Sequence, residues 1–267
     1  INSRKSTSKN LKGKANAIDT AIEVCSGDII VSTDADCAVD PDWVSSTVSY
    51  YKANAAMVCG FTMITGNSLF AKVQCIDWLY LLSLASSSAG LNLILSCVGN
   101  NLSFKKKVYS EVGGYESIGF SVTEDLALMR KVDSNKNYRI LFPVDKNCLV
   151  RSLPCTSINE LFSQKRRWFR GGIGINFLGY IVGLELYLMN VLLIFGLFFL
   201  SPKIFIFLAV TKILSELLLV GNIFKRFSLQ SMYLFYPLFS IYFAIYGLLL
   251  PLSFLFKINI KWKGQKF

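Results

Sequence analysis

Hydrophobic positions in the first part of the chain recur at two periods, one typical of helices and one typical of strands. Over residues 14–25, Ala17, Ile18, Ala21 and Ile22 share one face, which predicts an amphipathic helix. Gly27 ends that helix, and the apolar run over 28–33 that follows is typical of a buried strand. Alternating elements of this kind predict an α/β domain.

Cap residues and further apolar runs give the remaining elements of this domain. Asp40-Pro41 predicts a helix start, because Asp is favoured at the N-cap and Pro at the first helical position. Ser121 and Glu124 have the Ser-x-x-Glu form of a capping box. Helices are also predicted over 68–88, 105–112 and 121–132, and strands over 57–64, 101–104, 138–144 and 149–152.

The last third of the chain contains three long apolar stretches. About 20 residues at 1.5 Å rise cross a hydrocarbon core of about 30 Å, and each stretch is long enough for this. Ser157 and Glu160 form a second capping box before them and open an amphipathic helix that leads to the membrane. The predicted organisation is a soluble domain over 1–156, an interfacial helix over 157–178, a transmembrane region over 179–256 and a basic tail over 257–267, with spans at about 179–200, 204–221 and 232–256.

Composition supports an integral membrane protein and changes the meaning of the positive charge. Hydrophobic residues make up 53% of the 267 residues, and the mean hydropathy is +0.46. The net charge is +11, but the basic residues cluster beside the apolar stretches, at 165–170, at 225–226 and in the tail. Such clusters mark the cytoplasmic side of a membrane. We therefore expect contact with membrane lipids and no nucleic acid, with the catalytic domain on the cytoplasmic face of the inner or plasma membrane.

Two features of the apolar region leave alternatives open. Three full crossings would place the lysine-rich tail outside, so either the third stretch, with Pro237 and Pro251, is re-entrant or the tail is an exception. Lys212 and Glu216 lie four residues apart inside the second stretch, where unpaired charges are costly. We expect a structural ion pair, and an acceptor-binding or transport role is the alternative.

The absence of histidine restricts the chemistry available to the chain. Without histidine there is no Ser-His or Cys-His catalytic pair, and the seven cysteines are scattered without a Cys-x-x-Cys motif. Reduced thiols are therefore expected rather than a disulfide framework or a zinc site. An enzyme of this composition must use carboxylates, a metal ion or both.

Asp34-Ala35-Asp36 follows the first predicted strand directly. Ligands of α/β sheets bind at the carboxyl ends of strands, and carboxylates there can hold a divalent cation that also contacts phosphates. An ordinary acidic turn is the alternative explanation.

Thr123-Glu124-Asp125 forms the second candidate motif. The capping box accounts for Glu124 but not for Asp125. The helix dipole favours a negative charge in the first turn, and an ionised carboxylate there can accept a proton from a hydroxyl.

Gln164-Lys165-Arg166-Arg167-Trp168 forms the third. Helical spacing places Gln164, Arg167 and Trp168 on one face. Arginine can bind a diphosphate through two hydrogen bonds, and tryptophan offers a flat apolar wall. A basic and aromatic belt at the membrane interface is the alternative.

Together, in this order, the three motifs resemble those of membrane-bound glycosyltransferase family 2, which includes cellulose, chitin and hyaluronan synthases and ceramide glucosyltransferases. The stretch over 12–17 is similar to the family's Gly-Lys-Ala segment near the nucleotide, and 99–101 and 113–115 are similar to its middle segment. The resemblance covers about residues 10–175. It implies a GT-A-like α/β nucleotide-sugar domain, incomplete at its N-terminus, followed by an interfacial helix and about three transmembrane helices.

The resemblance also implies a role for each motif. Asp36 would bind Mg²⁺ or Mn²⁺, and Asp125 would be the base that deprotonates the acceptor hydroxyl, with inversion at the anomeric carbon. The implied donor is a nucleotide-sugar, usually a UDP-sugar, and the acceptor is a lipid or a glycan. The residues implied in donor and acceptor binding are Lys14, Asp34, Glu124, Gln164, Arg167 and Trp168.

Two departures from the family pattern bear on function. The chain lacks the family's opening strand with its acidic residue, so we expect it to be truncated at the start and to bind donor poorly alone. Three spans are also few for a synthase that secretes a polymer.

We expect transfer of a hexosyl or N-acetylhexosaminyl group to a lipid-linked or membrane-proximal acceptor. The alternatives are a processive polysaccharide synthase and an inactive membrane scaffold. The motifs are expected to converge around one metal-bound pyrophosphate.

Overall fold

The computed structural model describes residue 11, residues 13–119 and 121–253, and the backbone of 261–262 and 265–266. Residues 1–10, Lys12, Phe120 and most of the basic tail lie outside the described residues. The chain divides into two compact units. The first unit comprises residues 1–62 and 88–152, and the second comprises residues 63–87 and 153–267.

The first 152 residues alternate between helices and strands, as the sequence predicts. In chain order the elements are α1 (Gly13–Val24), β1 (Ile29–Ser32), β2 (Cys37–Val39), α2 (Trp43–Ser49), β3 (Ala55–Cys59), β4 (Thr62–Ile64), α3 (Leu69–Gly90), β5 (Leu102–Lys105), α4 (Lys106–Glu111), α5 (Gly114–Ile118), α6 (Glu124–Asp133), β6 (Arg139–Leu141) and β7 (Val150–Ser152). Short 3-10 turns lie at Tyr50–Ala53 and Lys146–Cys148. The division between the units passes through β4 and α3.

A four-stranded mixed sheet with the order β1-β5-β3-β6 forms the centre of the first unit. β5 is antiparallel to both β1 and β3, and β3 is parallel to β6. Phe104 of β5 and Met57 of β3 are fully buried opposite each other, and Leu128 and Met129 of α6 join the same core cluster. This packing holds α6 against the sheet. β2 pairs with β7 in a separate antiparallel ladder.

The second unit is mainly helical. Beyond residue 152 it contains α7 (Ile158–Gly172), α8 (Phe177–Phe199), α9 (Pro202–Arg226) and α10 (Tyr236–Leu252), with a 3-10 turn at Gln230–Phe235 before α10. α8 packs against α9 and α10, and α10 also packs against α7. A short antiparallel pair, β8 (Lys261–Trp262) and β9 (Gln265–Lys266), lies in the tail.

Within the described residues, four helical segments are long and apolar enough to cross a membrane, one more than predicted. They are Leu69–Gly90, Phe177–Phe199, Pro202–Arg226 and Gln230–Leu252. The three predicted spans correspond to the last three, of which only 11–22% is buried inside the protein, whereas 67% of Leu69–Gly90 is buried. Burial on nearly all sides is typical of a core helix, so the additional candidate can lie within the protein. The mixed α/β domain followed by membrane-length helices agrees with the predicted fold class.

The predicted ion pair inside the second apolar stretch is present. Lys212 Nζ lies 3.0 Å from Glu216 Oε2 on α9, and both side chains are buried. From α10, Tyr236 donates a hydrogen bond to the same carboxylate oxygen at 2.8 Å, and Lys212 donates one to Ser240 at 3.1 Å. The charges therefore face protein rather than lipid, as an apolar surrounding requires.

Two predicted helix starts are wrong, for a local reason in each case. α2 begins at Trp43 rather than at Asp40-Pro41, because Trp43 N–H bonds the Asp40 carbonyl and closes a turn first. α6 begins at Glu124, so Ser121 is not its N-cap. The Ser121 hydroxyl instead accepts a hydrogen bond from Thr123 N–H at 3.2 Å.

Two other predictions differ in outcome. The second capping box is confirmed, since the Ser157 hydroxyl accepts from Glu160 N–H at 3.2 Å, while Glu160 accepts from Thr156 N–H at 2.7 Å. The single strand over 57–64 is wrong, because β3 ends at Cys59 and β4 begins at Thr62. Gly60 and Phe61, between them, bond to Asn101 instead.

The Asn101 side chain connects three segments of the first unit. It is buried, and its amide donates to the carbonyls of Phe61 at 2.7 Å and Cys148 at 2.8 Å. The Trp43 indole donates to its carbonyl oxygen at 3.2 Å. A Cβ on Gly60 would lie 2.4 Å from the Asn101 amide nitrogen, so only glycine permits this close approach.

We expect Asn101→Ala to lower the free energy of unfolding by about 2–5 kcal/mol, because it leaves buried donor and acceptor groups unpaired. The measurement is the denaturation midpoint of the purified protein in detergent. Asn137→Ala, at an exposed turn position, is the matched control and should leave the midpoint unchanged. Equal midpoints for the two variants would contradict the role assigned to Asn101.

Candidate active site

Asp34 is held at the end of β1 by a turn and by a lysine. Cys37 N–H donates to the Asp34 carbonyl at 3.1 Å, so residues 34–37 turn back from β1 into β2. Lys14 Nζ, on the first turn of α1, lies 2.6 Å from Asp34 Oδ1. About two fifths of each side chain remains exposed (40% and 39%), so solvent screens the pair and its contribution to stability is small. The contact orients both groups more than it stabilises the fold.

Lys14 also approaches the second motif. Its Nζ lies 3.7 Å from Glu124 Oε1 in the first turn of α6. Burial lowers the pKa of the Lys14 ammonium, but the hydrogen bond to Asp34 and the charges of Asp34, Glu124 and Asp125 outweigh this and raise the pKa above its ordinary value. Lys14 is therefore a fixed positive charge between Asp34 and Glu124, which belong to two motifs and are 90 residues apart in the chain.

Asp125 occupies the next position of α6. Its Oδ1 accepts a hydrogen bond from Leu126 N–H at 2.9 Å. The Gly99 backbone packs directly against this side chain, since a Cβ at that position would lie 2.9 Å from Asp125 Oδ2. The missing side chain at Gly99 therefore makes room for the Asp125 carboxylate.

Lys14, Glu124 and Asp125 line a small hollow that is open to solvent. Gly99 and Tyr115 contribute to its wall, and apolar side chains of α1 and β5 form its floor. Burial, followed by the charges of Glu124 and Asp125, raises the pKa of Tyr115. Its hydroxyl therefore stays protonated beside the two carboxylates. The hollow brings together a cation, two carboxylates and a neutral hydroxyl.

Asp36 lies in the turn with its carboxylate exposed to solvent. The Cys37 thiol contacts Asp36 Oδ1 at 3.8 Å, and Asn100, which accepts from Thr62 at 2.8 Å, donates to the Cys37 sulfur at 3.6 Å. These contacts hold the turn, and the Asp36 side chain is still exposed to solvent. In the part of the chain that the structure describes, no three His, Cys, Asp or Glu side chains are grouped to hold a metal.

The third motif lies on α7, in the second unit. Gln164, Arg167 and Trp168 are all half-buried there. Lys165 and Arg166, by contrast, are buried, at 3% and 7% exposure, so their charges do not face lipid headgroups as the predicted basic belt requires. The structure thus brings Lys14, Asp34, Glu124 and Asp125 together in the first unit. The convergence of all three motifs stays a prediction.

Two residues that contact the motifs in the structure were assigned no role in the sequence analysis. Gly99 belongs to a segment similar to the family's middle part, but only the structure shows that it packs on Asp125. Asp77 is a carboxylate inside an apolar helix and is fully buried against Lys165. A lone acidic residue within such an apolar run is itself a signal, because burying an unpaired charge is costly.

Comparison of the sequence with known protein families identifies the class of protein to which this chain belongs. Residues 2–267 match glycosyl transferase family 21. The chain belongs to glycosyl transferase family 21. The resemblance to membrane-bound glycosyltransferases is thereby confirmed.

Curated relatives match 60% of the chain. Poly-beta-1,6-N-acetyl-D-glucosamine synthase of Staphylococcus aureus (strain COL) is 27% identical over 169 residues, which is 60% of this chain and 39% of that protein. The protein of the same description from Staphylococcus epidermidis is 26% identical over 169 residues, with the same coverage. The chain therefore spans about two fifths of the length of these relatives.

We expect Gly99→Ala to reduce turnover by about 10- to 100-fold, because the added methyl group would displace the Asp125 carboxylate and small misplacements are costly in catalysis. The measurement is the rate of sugar transfer per folded molecule in membranes. Gly27→Ala is the control, since its Cβ would meet no atom closer than 3.8 Å. Normal turnover by Gly99→Ala would show that the contact with Asp125 does not matter for the reaction.

Proposed function

We propose that the chain is the catalytic and membrane part of a glycosyltransferase that moves a sugar from a nucleotide-sugar to a glycan or lipid-linked acceptor. The observation that carries the proposal is the hollow in which Lys14, Glu124 and Asp125 meet. A transfer of this kind needs a base for the acceptor hydroxyl and positive charge near the donor diphosphate. The donor implied by the family resemblance is a UDP-sugar.

Asp125 acts as the base in this proposal. It takes the proton from the acceptor hydroxyl while the oxygen attacks the anomeric carbon, and the nucleoside diphosphate leaves from the opposite face, so the configuration inverts. Gly99 provides the space for the Asp125 carboxylate, and Glu124 holds Lys14 beside it. The Lys14 ammonium supplies positive charge toward the donor diphosphate. The third motif would contribute Arg167 to the diphosphate, and Trp168 and Gln164 to the acceptor.

A divalent cation fits the residues of the turn. The carboxylate of Asp36 is exposed, whereas Asp34 is paired with Lys14. One open carboxylate suits Mg²⁺, which binds through one or two carboxylates together with substrate phosphates and water. When bound, Mg²⁺ or Mn²⁺ would neutralise charge on the donor diphosphate. Asp36 would hold it, and Asp34 would keep Lys14 in place beside it.

Polymer synthesis is the second candidate function. It is favoured by the relatives, which are described as synthases of poly-β-1,6-N-acetyl-D-glucosamine. Incubation with labelled donor and separation of the products by length distinguishes the two candidates. Single-sugar products support transfer to a membrane acceptor, and a ladder of products supports a polymerase. Cytoplasmic placement of the first unit is part of both proposals and rests on exposed basic residues beside the apolar helices, such as Arg170 and Lys225.

We expect Asp125→Asn to reduce turnover by about 10²- to 10⁴-fold, because it removes the base while preserving shape. Transfer of radiolabelled sugar from each of several nucleotide-sugars is the measurement. Asp133→Asn, at the last residue of the same helix, is the matched control and should be fully active. Unchanged turnover in Asp125→Asn would refute the base assignment. No turnover by the unsubstituted protein with any nucleotide-sugar would favour an inactive scaffold.

Chelation of divalent cations should abolish transfer, and Mg²⁺ or Mn²⁺ should restore it. Asp36→Asn should raise the metal concentration needed for half-maximal activity at least about tenfold, because it removes the charged ligand. Asp28→Asn, at the other end of β1, should behave like the unsubstituted protein. Full turnover after chelation would exclude the metal from the proposal.

A further inference from the structure

Asp77 is a fully buried carboxylate on α3, with 0% exposure. Its Oδ2 lies 2.5 Å from Nζ of Lys165 on α7, whose side chain is only 3% exposed. Tyr242 of α10 donates a hydrogen bond to the same oxygen at 3.1 Å. One carboxylate oxygen therefore joins three helices of the second unit.

The lysine is enclosed by aromatic rings as well as by Asp77. Lys165 Nζ lies 4.5 Å from the ring centroid of Trp168 and 5.5 Å from that of Tyr246. Trp168 in turn meets Trp78 edge to face, with centroids 4.8 Å apart. Trp78 follows Asp77 on α3, so the same helix holds both the charged and the aromatic side chain of α7.

These contacts determine the rotation of α7 about its own axis. Successive residues of an α-helix are about 100° apart, so fixing Lys165 and Trp168 also fixes the directions of Gln164 and Arg167. A buried ion pair contributes little net stability, because removing two charges from water is costly, but it strongly penalises every arrangement in which the charges separate. Its effect is therefore to specify one orientation of the motif helix.

We propose that Asp77 is a positioning residue for glycosyl transfer, which through Lys165 holds α7 in the one rotation that directs Gln164, Arg167 and Trp168 toward the substrates. The inference rests on the proposed function, in which these three side chains bind donor and acceptor. Asp77 itself contacts no substrate. This positioning role differs from a general contribution to folding. A second buried ion pair in the second unit serves as the control that distinguishes the two roles.

Lys212 and Glu216 form that second ion pair. Glu216 is a buried carboxylate, paired with a buried lysine at 3.0 Å and accepting from a tyrosine hydroxyl, that of Tyr236, at 2.8 Å. Asp77 is likewise paired with a buried lysine and accepts a hydrogen bond from a tyrosine hydroxyl. The difference is that Lys212 and Glu216 both lie on α9, which carries none of the three motifs. Glu216→Gln therefore imposes a comparable loss of a buried charge pair without removing an ion pair of α7.

The experiment compares Asp77→Asn with Glu216→Gln in the protein reconstituted in lipid nanodiscs. The first readout is hydrogen exchange of the backbone amides over 158–172. We expect faster exchange there in Asp77→Asn and none of that change in Glu216→Gln. Tyr242→Phe, which removes only one hydroxyl, should shift exchange in the same direction by less, and it serves where Asp77→Asn folds poorly.

The second readout is kinetic and is expressed per folded molecule. We expect kcat for transfer to fall about 10- to 100-fold in Asp77→Asn, as a small displacement of binding groups predicts. The ratio of donor hydrolysis to transfer should rise, because a misplaced Trp168 binds the acceptor less well. Glu216→Gln should change kcat and this ratio by less than about threefold, within the usual range for changes away from a site.

The outcomes separate the positioning role from the proposed function. Unchanged exchange over 158–172 in Asp77→Asn overturns the inference whether or not the protein is active. Faster exchange with unchanged kcat and hydrolysis ratio also overturns it, since α7 would then move without effect on transfer. Faster exchange in a protein that transfers no sugar supports the anchoring of α7 by Asp77 and overturns the proposed function instead.

Discussion

The contact between Lys14 and two carboxylates determines how the first unit can act on a substrate. Lys14 lies in the first turn of α1, Asp34 follows β1 and Glu124 opens α6, so one ammonium group joins the ends of one strand and two helices. The pair with Asp34 is too exposed to stabilise the fold much. Its value lies in placing a positive charge beside Asp125 before any substrate arrives. The proposed reaction requires this arrangement, because the positive charge and the proposed base, Asp125, line the same hollow.

The second unit buries charged side chains among apolar helices. Its helices are mostly apolar, yet they contain two buried lysine–carboxylate pairs, each with a tyrosine hydroxyl on the carboxylate. In an apolar surrounding such pairs are retained because separating the charges is far more costly than keeping them together. One pair lies within a single helix, and the other joins the helix that carries Arg167 and Trp168 to α3. Charge pairing thus ties part of the proposed substrate-binding machinery to the apolar interior of the second unit.

Much of this organisation could be predicted from the sequence, and the limits have physical causes. Strongly periodic segments such as 14–25 and the apolar stretches after 178 were correctly predicted, as was the pairing of Lys212 with Glu216, because periodicity and i,i+4 spacing are local properties. Helix starts at Asp40 and Ser121 were wrong, since turn hydrogen bonds competed with the caps. The contacts of Gly99 with Asp125 and of Asp77 with Lys165 join residues far apart in the chain, and no local pattern specifies such partners. The roles of Asp36, Asp125 and Arg167 came from the family resemblance rather than from spacing.

The chain passes between the two compact units three times, because residues 63–87 belong with the C-terminal helices while the residues on both sides of them belong with the sheet. Neither unit is therefore one continuous segment of the chain. A single recombination event or a single truncation cannot separate one unit from the other. A fragment ending near residue 156 would keep α3 but lose α7 and α10, and so would present a naked Asp77 and the apolar side chains around it to solvent. Water-soluble versions of the sheet unit would need this intervening segment replaced by a polar linker.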